Sequence, residues 1–183
     1  FPKGHLHFIT HLGNGAAFHI AAGSPERFCQ LIFLFQGSYK LIAGGGIGLF
    51  IVGLPDNTIK ESEQRIQAAF ENSGYRLLAK KIVVNLAPAD LRKEGSVYDL
   101  PIAVGILVAT EQLSTKYVDD SMFIGELSLN GELRSVKGVL PLVAMARDKG
   151  LKRVFLPNEN VKEGAVVDGI DIIGVGSLVE LCE

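Results

Sequence analysis

The chain has 183 residues, of which 48% are hydrophobic and 21% are charged, so it fits one ordinary domain with a buried core and excludes a mainly disordered chain. Its formal net charge of −2 at pH 7 excludes a strong overall attraction to nucleic acid or anionic lipid. No uncharged apolar run reaches the about 18 residues of a membrane span, and the two widely spaced cysteines predict a reducing, cytoplasmic setting.

Residues 1–43 differ in character from the rest of the chain. They contain all the histidines of the sequence, namely His5, His7, His11 and His19. These side chains could in principle join a metal site, but no cysteine lies at ligand spacing, so we interpret them as surface or tag-like histidines. Only residues 31–35 indicate a short strand here. No signal peptide is recognised, and Phe1 is not a natural start, which predicts a fragment or a processed form.

From residue 44 onward, strand and helix patterns alternate. The predicted strands are 47–52, 80–86, 153–156 and 170–175, and the predicted helices are 56–74, 99–108, 139–149, 158–166 and 178–182. Asp56 or Asn57 can cap the first helix because a short side-chain oxygen accepts hydrogen bonds from the first-turn amides. Asp99 is predicted to cap the second helix, which is apolar almost all round and should be central.

A hairpin is predicted for residues 122–129 and 132–136. Asn130-Gly131 lies between them, and this dipeptide favours the tight turns that match the twist of paired strands. Alternating strands and helices with one hairpin indicate a mixed α/β or α+β domain.

Several segments together carry a family resemblance. Residues 50–56 with Lys60-Glu61-Ser62, and residues 84–95 with Tyr98-Asp99-Leu100-Pro101, resemble the N-terminal domain of the ComM/YifB family, the Mg-chelatase-related AAA+ ATPases. Segments at 123–127, 131–134 and 156–160 extend the match, which covers roughly residues 46–183. Residues 1–43 do not match. A sequence artefact, a frameshifted or wrongly assigned start, and true divergence all stay open for that segment.

This resemblance implies a fold similar to the Lon protease domain and the C-terminal domain of RadA, with a mixed sheet and three main helices over residues 44–183. It also implies that ATP and Mg²⁺ belong to a separate AAA+ module. The implied partners are that module and neighbouring protomers of a hexamer, with DNA involved only indirectly. The implied role is a non-catalytic accessory domain of a motor for DNA branch migration during natural transformation. Magnesium insertion into porphyrins is the least favoured role.

The sequence lacks a nucleotide-binding loop. A P-loop requires a Gly-Lys dipeptide before Ser or Thr, and no Gly-Lys occurs in the chain. The glycine-rich residues 44–48 precede a strand, which is the wrong context for a phosphate loop. We therefore expect no ATP hydrolysis by this chain alone.

The resemblance also tests for proteolysis. Lon-type enzymes pair a serine nucleophile with a lysine base. The Lon motif laid over residues 94–97 places Val97 at the nucleophile, and the later helix places Leu142 at the lysine. Neither side chain can do this chemistry, so no catalytic residue is predicted. Ser96 and Lys137 are near misses, and a divergent Ser-Lys peptidase is the enzymatic alternative.

A polar loop is the candidate interaction site. Its charged residues are Asp90, Arg92, Lys93, Glu94 and Asp99. Loops on rigid scaffolds often carry binding sites, and the resemblance favours contact with the AAA+ module or a neighbouring protomer. The alternative is a solvated turn whose charges cap the next helix and pair locally.

Basic pairs occur at Lys80-Lys81, Arg92-Lys93 and Lys152-Arg153. Binding of phosphates requires several such residues on one face, and no aromatic residues are interleaved with these. Scattered solubilising charge is the simpler interpretation, and a branched-DNA-binding module is the alternative from the binding class.

Overall fold

The computed structural model describes residues 16–21, 39–41, 48–52, 56–77, 81–87, 95–114, 118 and 120–183. The strands are β1 Ala16–Ala21, β2 Tyr39–Leu41, β3 Gly48–Val52, β4 Lys81–Ala87, β5 Ser121–Phe123, β6 Glu126–Leu127, β7 Leu133–Arg134, β8 Arg153–Pro157 and β9 Asp171–Val175. The helices are α1 Asn57–Asn72, α2 Asp99–Ala109, α3 Val139–Asp148, α4 Val161–Gly164 and α5 Leu178–Cys182. The predicted α/β class with three main helices is confirmed.

The first sheet has the strand order β2-β1-β4-β3. Strand β1 is parallel to β4 and antiparallel to β2, and β3 is parallel to β4. Residues of the atypical 1–43 segment therefore pair directly with a strand from the orderly part of the chain. The strand predicted at residues 31–35 lies outside the described residues.

The second sheet, with the order β5-β8-β9, is entirely parallel. It separates two apolar clusters because successive strand residues point to opposite faces. On strand β5, Met122 belongs to the cluster around α3, whereas Phe123 belongs to the larger cluster around α1 and α2. The sheet therefore lies between the two apolar clusters and contributes side chains to both.

Helix α1 forms as the sequence predicts. The Asp56 carboxylate accepts a hydrogen bond from the Ile59 amide at 2.8 Å, which confirms the predicted cap. Ile59, Ile66 and Phe70 are fully buried, as their helical spacing indicates. The helix ends at Asn72, and its apolar face packs on the first sheet and on α2.

The predicted hairpin exists, but its strands are shorter and its turn is different. Residues 122–129 do not form one strand: β5 joins the parallel sheet, and β6 pairs antiparallel with β7. The Ser128 amide donates to the Glu132 carbonyl at 2.9 Å and the Gly131 amide donates to the Ser128 carbonyl at 3.0 Å. The turn therefore has three residues, 129–131, rather than two, and Gly131 among them has a positive φ, +84°.

Helix α2 is the centre of the fold. Every residue from Asp99 to Val108 is buried, which confirms the predicted central helix. A 3₁₀ turn at Ser96–Tyr98 leads into it. Among the described residues, no helix is long and apolar enough to cross a membrane.

Candidate functional site

A buried polar cluster joins α1, α2 and β6. The Asp99 carboxylate accepts hydrogen bonds from Arg65 Nε at 2.6 Å, from Arg65 Nη2 at 3.0 Å, from the Ser62 hydroxyl, and from the Leu127 amide at 3.1 Å. Arg65 Nη2 also donates to the Thr58 carbonyl at 2.9 Å. The Asp99 side chain is 0% exposed and that of Arg65 is 14% exposed, so this is a largely desolvated ion pair.

The electrostatics of the cluster are those of a paired, buried charge. Burial raises the pKa of Asp99, and the hydrogen bonds from Arg65 and Ser62 oppose that shift. The hydrogen bond to Asp99 in turn raises the pKa of Arg65. Because each polar atom has a partner, the cluster is suited to holding three elements together rather than to exchanging protons.

A second anchor holds the C-terminal end of the polar loop. Asp56 Oδ2 accepts a hydrogen bond from the Gly95 amide at 3.1 Å, while its other oxygen caps α1. Gly95 has φ +96° and ψ 163°, a backbone conformation that is essentially restricted to glycine. Buried Tyr98 follows, and burial together with the charge of Asp56 raises the pKa of its phenol. One carboxylate thus fixes both a helix start and a loop end.

The structure divides the predicted interaction loop. Asp90, Arg92, Lys93 and Glu94 lie outside the described residues. Asp99 was predicted to belong to this loop but lies in the interior, and its predicted role as a helix cap was wrong. The cap position is Tyr98, whose side chain makes no capping bond, and the Asp99 carboxylate instead points toward α1 and β6.

Val97 and Leu142 both pack in apolar surroundings. Leu142 is 9% exposed in the cluster around α3, and half-buried Val97 packs against that same cluster. The near misses differ from each other: Ser96 is half-buried in the 3₁₀ turn, and Lys137 is exposed ahead of α3. The base of a Ser-Lys dyad works from a buried position, which Lys137 does not occupy.

Two side chains fix the segment that leads into α3. Asn160 is 6% exposed. Its side-chain oxygen accepts a hydrogen bond from the Val136 backbone amide at 3.0 Å, and its side-chain nitrogen donates one to the Val136 carbonyl at 2.9 Å. Glu163 Oε1 accepts from the Leu140 amide at 3.0 Å and so caps α3, whose own cap residue Gly138 has no side chain. The start of the helix that carries Leu142 is therefore held by a second 3₁₀ turn, Asn158–Asn160, and by α4.

Sequence reasoning missed Ser62 and Arg65 as parts of the site. A signal for Ser62 was present, because it lies between Ile59 and Ile66 on the apolar stripe of α1. A serine at a fully buried position requires a polar partner. Its partner, Asp99, is 37 residues away, and helical spacing does not identify a partner at that distance.

The basic pairs do not form a described phosphate-binding face. In the Lys152-Arg153 pair, Lys152 Nζ lies 2.8 Å from Asp120 Oδ2, which neutralises that charge locally. The side chains of the other two predicted basic pairs are outside the described part of the chain, as are those of the four histidines. Within the described ranges, no group of three His, Cys, Asp or Glu residues could hold a metal ion.

Comparison with known proteins identifies related chains. The family described as subunit ChlI of Mg-chelatase matches residues 41–160. The chain is 42% identical to the competence protein ComM of Haemophilus influenzae over 126 residues, which are 69% of this chain and 25% of that protein. It is 42% identical to the uncharacterized protein YifB of Escherichia coli over 141 residues, 77% of this chain and 28% of YifB.

A more distant relative supports the expected fold. Lon protease 2 of Bacillus subtilis is 28% identical over 128 residues, which are 68% of this chain and 22% of that protein. The chain spans about a quarter of the length of these relatives.

Proposed function

Because the chain belongs to the ChlI family of Mg-chelatase-related proteins, in the group of ComM and YifB, we propose that it is a non-catalytic accessory domain of a hexameric AAA+ ATPase. In this proposal the domain helps to assemble or direct a motor that moves branched DNA in the cytoplasm during natural transformation. ATP and Mg²⁺ are bound by the ATPase module and not by this chain.

One observation carries the proposal. The segments that resemble the family contribute Asp56, Ser62 and Asp99, and these side chains hold the ends of structural elements instead of meeting in an open cleft. When the residues characteristic of a family stabilise the fold itself, the function of the domain depends on the surface that this rigid fold presents to a partner.

The apolar positions support the same conclusion. Val97 and Leu142 occupy the places where the resemblance puts a nucleophile and its base, and both pack against the cluster around α3. An aliphatic side chain neither attacks a carbonyl nor transfers a proton. The peptidase alternative would therefore depend on Ser96 alone.

The contact surface that we propose is the loop that carries Asp90, Arg92, Lys93 and Glu94. Its C-terminal end is held at Gly95 by Asp56, and the helix that follows is buried from Asp99 to Val108. A loop with a rigid base loses less conformational entropy on binding. Its partner is the ATPase module of the same protein or of a neighbouring protomer.

The experiment uses the full-length protein with Arg92→Ala and Lys93→Ala combined. Movement of a synthetic four-way junction with ATP should slow several-fold, while nucleotide binding by the full-length variant should not change. The matched control is Lys60→Ala with Lys162→Ala, two exposed lysines on α1 and α4. An unchanged rate in the loop variant would refute the contact role. Casein cleavage that disappears in Ser96→Ala would instead establish the peptidase.

A further inference from the structure

The parallel sheet carries a row of large apolar side chains on the face opposite α3. Phe123, Phe155 and Ile173 are in register on neighbouring strands β5, β8 and β9. The two phenylalanine rings stack with centroids 4.9 Å apart and an interplanar angle of 9°. Phe123 is buried in the core around α1 and α2, whereas Phe155 and Ile173 are half-buried, so the accessible part of this floor runs from β8 to the β9 edge of the sheet.

The floor is only partly covered. Helices α3 and α4 cover the other face of this sheet, and entirely parallel sheets are normally covered on both faces. Above the row lies an open cavity of about 330 Å³, walled by Leu113, Val118, Val175 and Leu181. Its size is at the lower end of the range of binding pockets, about 300–1,000 Å³.

Strand β9 is at the edge of the sheet and borders the cavity. The Asp171 amide donates to the Lys152 carbonyl at 2.9 Å, so by alternation the backbone groups of Ile172 and Gly174 point away from β8. Further along the same edge, the Leu133 amide donates a hydrogen bond to the Gly176 carbonyl at 2.8 Å. Within the described part of the chain, no strand pairs with Ile172 or Gly174 on the outer side.

The charge at the cavity has one sign. Glu180 and Glu183 line it, and no lysine or arginine lies among its described lining residues. Glu180 Oε2 accepts from the Gly176 amide at 2.7 Å, which fixes this carboxylate at the rim and leaves its other oxygen to accept. The rim is therefore complementary to a cation next to an apolar group.

We propose that β9 and this cavity bind an extended partner segment that places an apolar side chain beside Ile173, at the open end of the row, and a lysine or arginine at Glu180. The segment adds as a strand at Ile172 and Gly174, a recurring mode of peptide recognition in which backbone bonds supply affinity and pockets supply specificity. This inference is independent of the polar loop and of the proposed function.

The test titrates the ¹⁵N-labelled 183-residue chain with the peptide acetyl-Ser-Lys-Val-Phe-Val-Ser-amide. We expect the amide signals of Ile172 and Gly174 to shift. Glutamate in place of the peptide lysine should weaken binding, and Glu180→Lys should weaken it by about threefold to fivefold. The matched control variant is Glu71→Lys, at an exposed position on α1, and it should bind as the original chain does.

Other outcomes would overturn the proposal. Equal shifts from a peptide N-methylated at both valines, or from 3-phenylpropylamine, would make the cavity a small-molecule site without strand addition. Self-association without peptide that shifts the same amides would assign the edge to a second copy. The absence of any shift at about 2 mM peptide would also exclude the proposed segment, since even a weak specific complex is populated there.

Discussion

Arg65 and Asp99, 34 residues apart in the sequence, meet in a two-point ion pair with Nε–Oδ2 at 2.6 Å and Nη2–Oδ1 at 3.0 Å. The forked geometry fixes the orientation of both side chains as well as their distance. Since Arg65 lies on α1 and Asp99 begins α2, the pair sets how the two helices meet at the base of the loop.

Asp99→Ala should be strongly destabilising. It leaves the Arg65 guanidinium, 14% exposed, without its carboxylate, and it leaves the buried Ser62 hydroxyl and the Leu127 amide without their acceptor. Removal of one partner of a buried pair costs about 3 kcal/mol. Urea denaturation followed by circular dichroism measures the change in the free energy of unfolding.

The control for Asp99→Ala is Arg134→Ala. Arg134 is 65% exposed and lies 4.0 Å from Glu126, so its loss should cost less than about 0.5 kcal/mol. If Asp99→Ala costs no more than this control, the cluster does not hold the fold.

The pKa values of Asp99 and Asp120 should move in opposite directions from the ordinary value of 3.8. Burial raises the pKa of Asp99, whereas the hydrogen bond from Lys152 lowers that of exposed Asp120. The carboxyl ¹³C shifts measured against pH give both titration midpoints. A midpoint for Asp99 below 3.8 would contradict the dominance of burial.

The sign for stability follows from the raised pKa of Asp99. The folded state binds this proton more tightly than the unfolded state. The contribution of Asp99 protonation to the free energy of unfolding is therefore fully present below the unfolded pKa. It is lost as the pH rises through the folded pKa. Relative to Asp99→Asn, the unmodified chain should therefore lose stability across the window that begins near 3.8. If the unmodified chain instead gained stability relative to Asp99→Asn as the pH rises, this prediction would be wrong.

Local patterns predicted the elements, and long-range contacts determined the site. The Asp56 cap and the apolar stripe of α1 depend on neighbours within one or two turns, so they could be read from spacing. The division of residues 122–129 between two sheets depends on β8, about 30 residues away, which pairs with β5. Asp99 resembled a cap by its position, but Arg65 and Ser62 draw its carboxylate into the core.

Gly131→Ala should destabilise the chain more than its backbone angle alone requires. Gly131 has φ +84°, and an added Cβ would overlap with the Ser73 hydroxyl at the end of α1. The left-handed conformation costs about 1 kcal/mol for alanine, and the overlap adds to it. Thermal unfolding of Gly131→Ala and of the double variant with Ser73→Ala separates these two contributions.

Gly169→Ala is the matched control for Gly131→Ala. Gly169 has the same φ of +84°, but an added Cβ would lie 3.8 Å from Arg147 Cδ, an ordinary contact. If the two glycine variants lose equal stability, and Ser73→Ala restores none of it at Gly131, then the hairpin turn and the end of α1 are not in close contact.

Asp56→Ala should loosen the end of the loop as well as the start of α1. Loss of the cap to the Ile59 amide costs about 1 kcal/mol, and the Gly95 amide loses its acceptor. Hydrogen exchange at Gly95 should accelerate beyond what the change in global stability explains.

Ser177→Ala controls for the loss of a helix cap. The Ser177 hydroxyl caps α5 by accepting a hydrogen bond from the Glu180 amide at 3.1 Å, near the C-terminal end of the described chain and far from Gly95 in the sequence. If both variants leave exchange at Gly95 equally slow, Asp56 does not anchor the loop.

Ring formation by the full-length protein bears on the accessory role itself. Mass photometry with ATP, with and without the segment of residues 44–183, counts hexamers directly. We expect the intact protein to form hexamers and the shortened protein to shift to smaller species. An equal hexamer fraction together with equal junction movement after the deletion would contradict the accessory role.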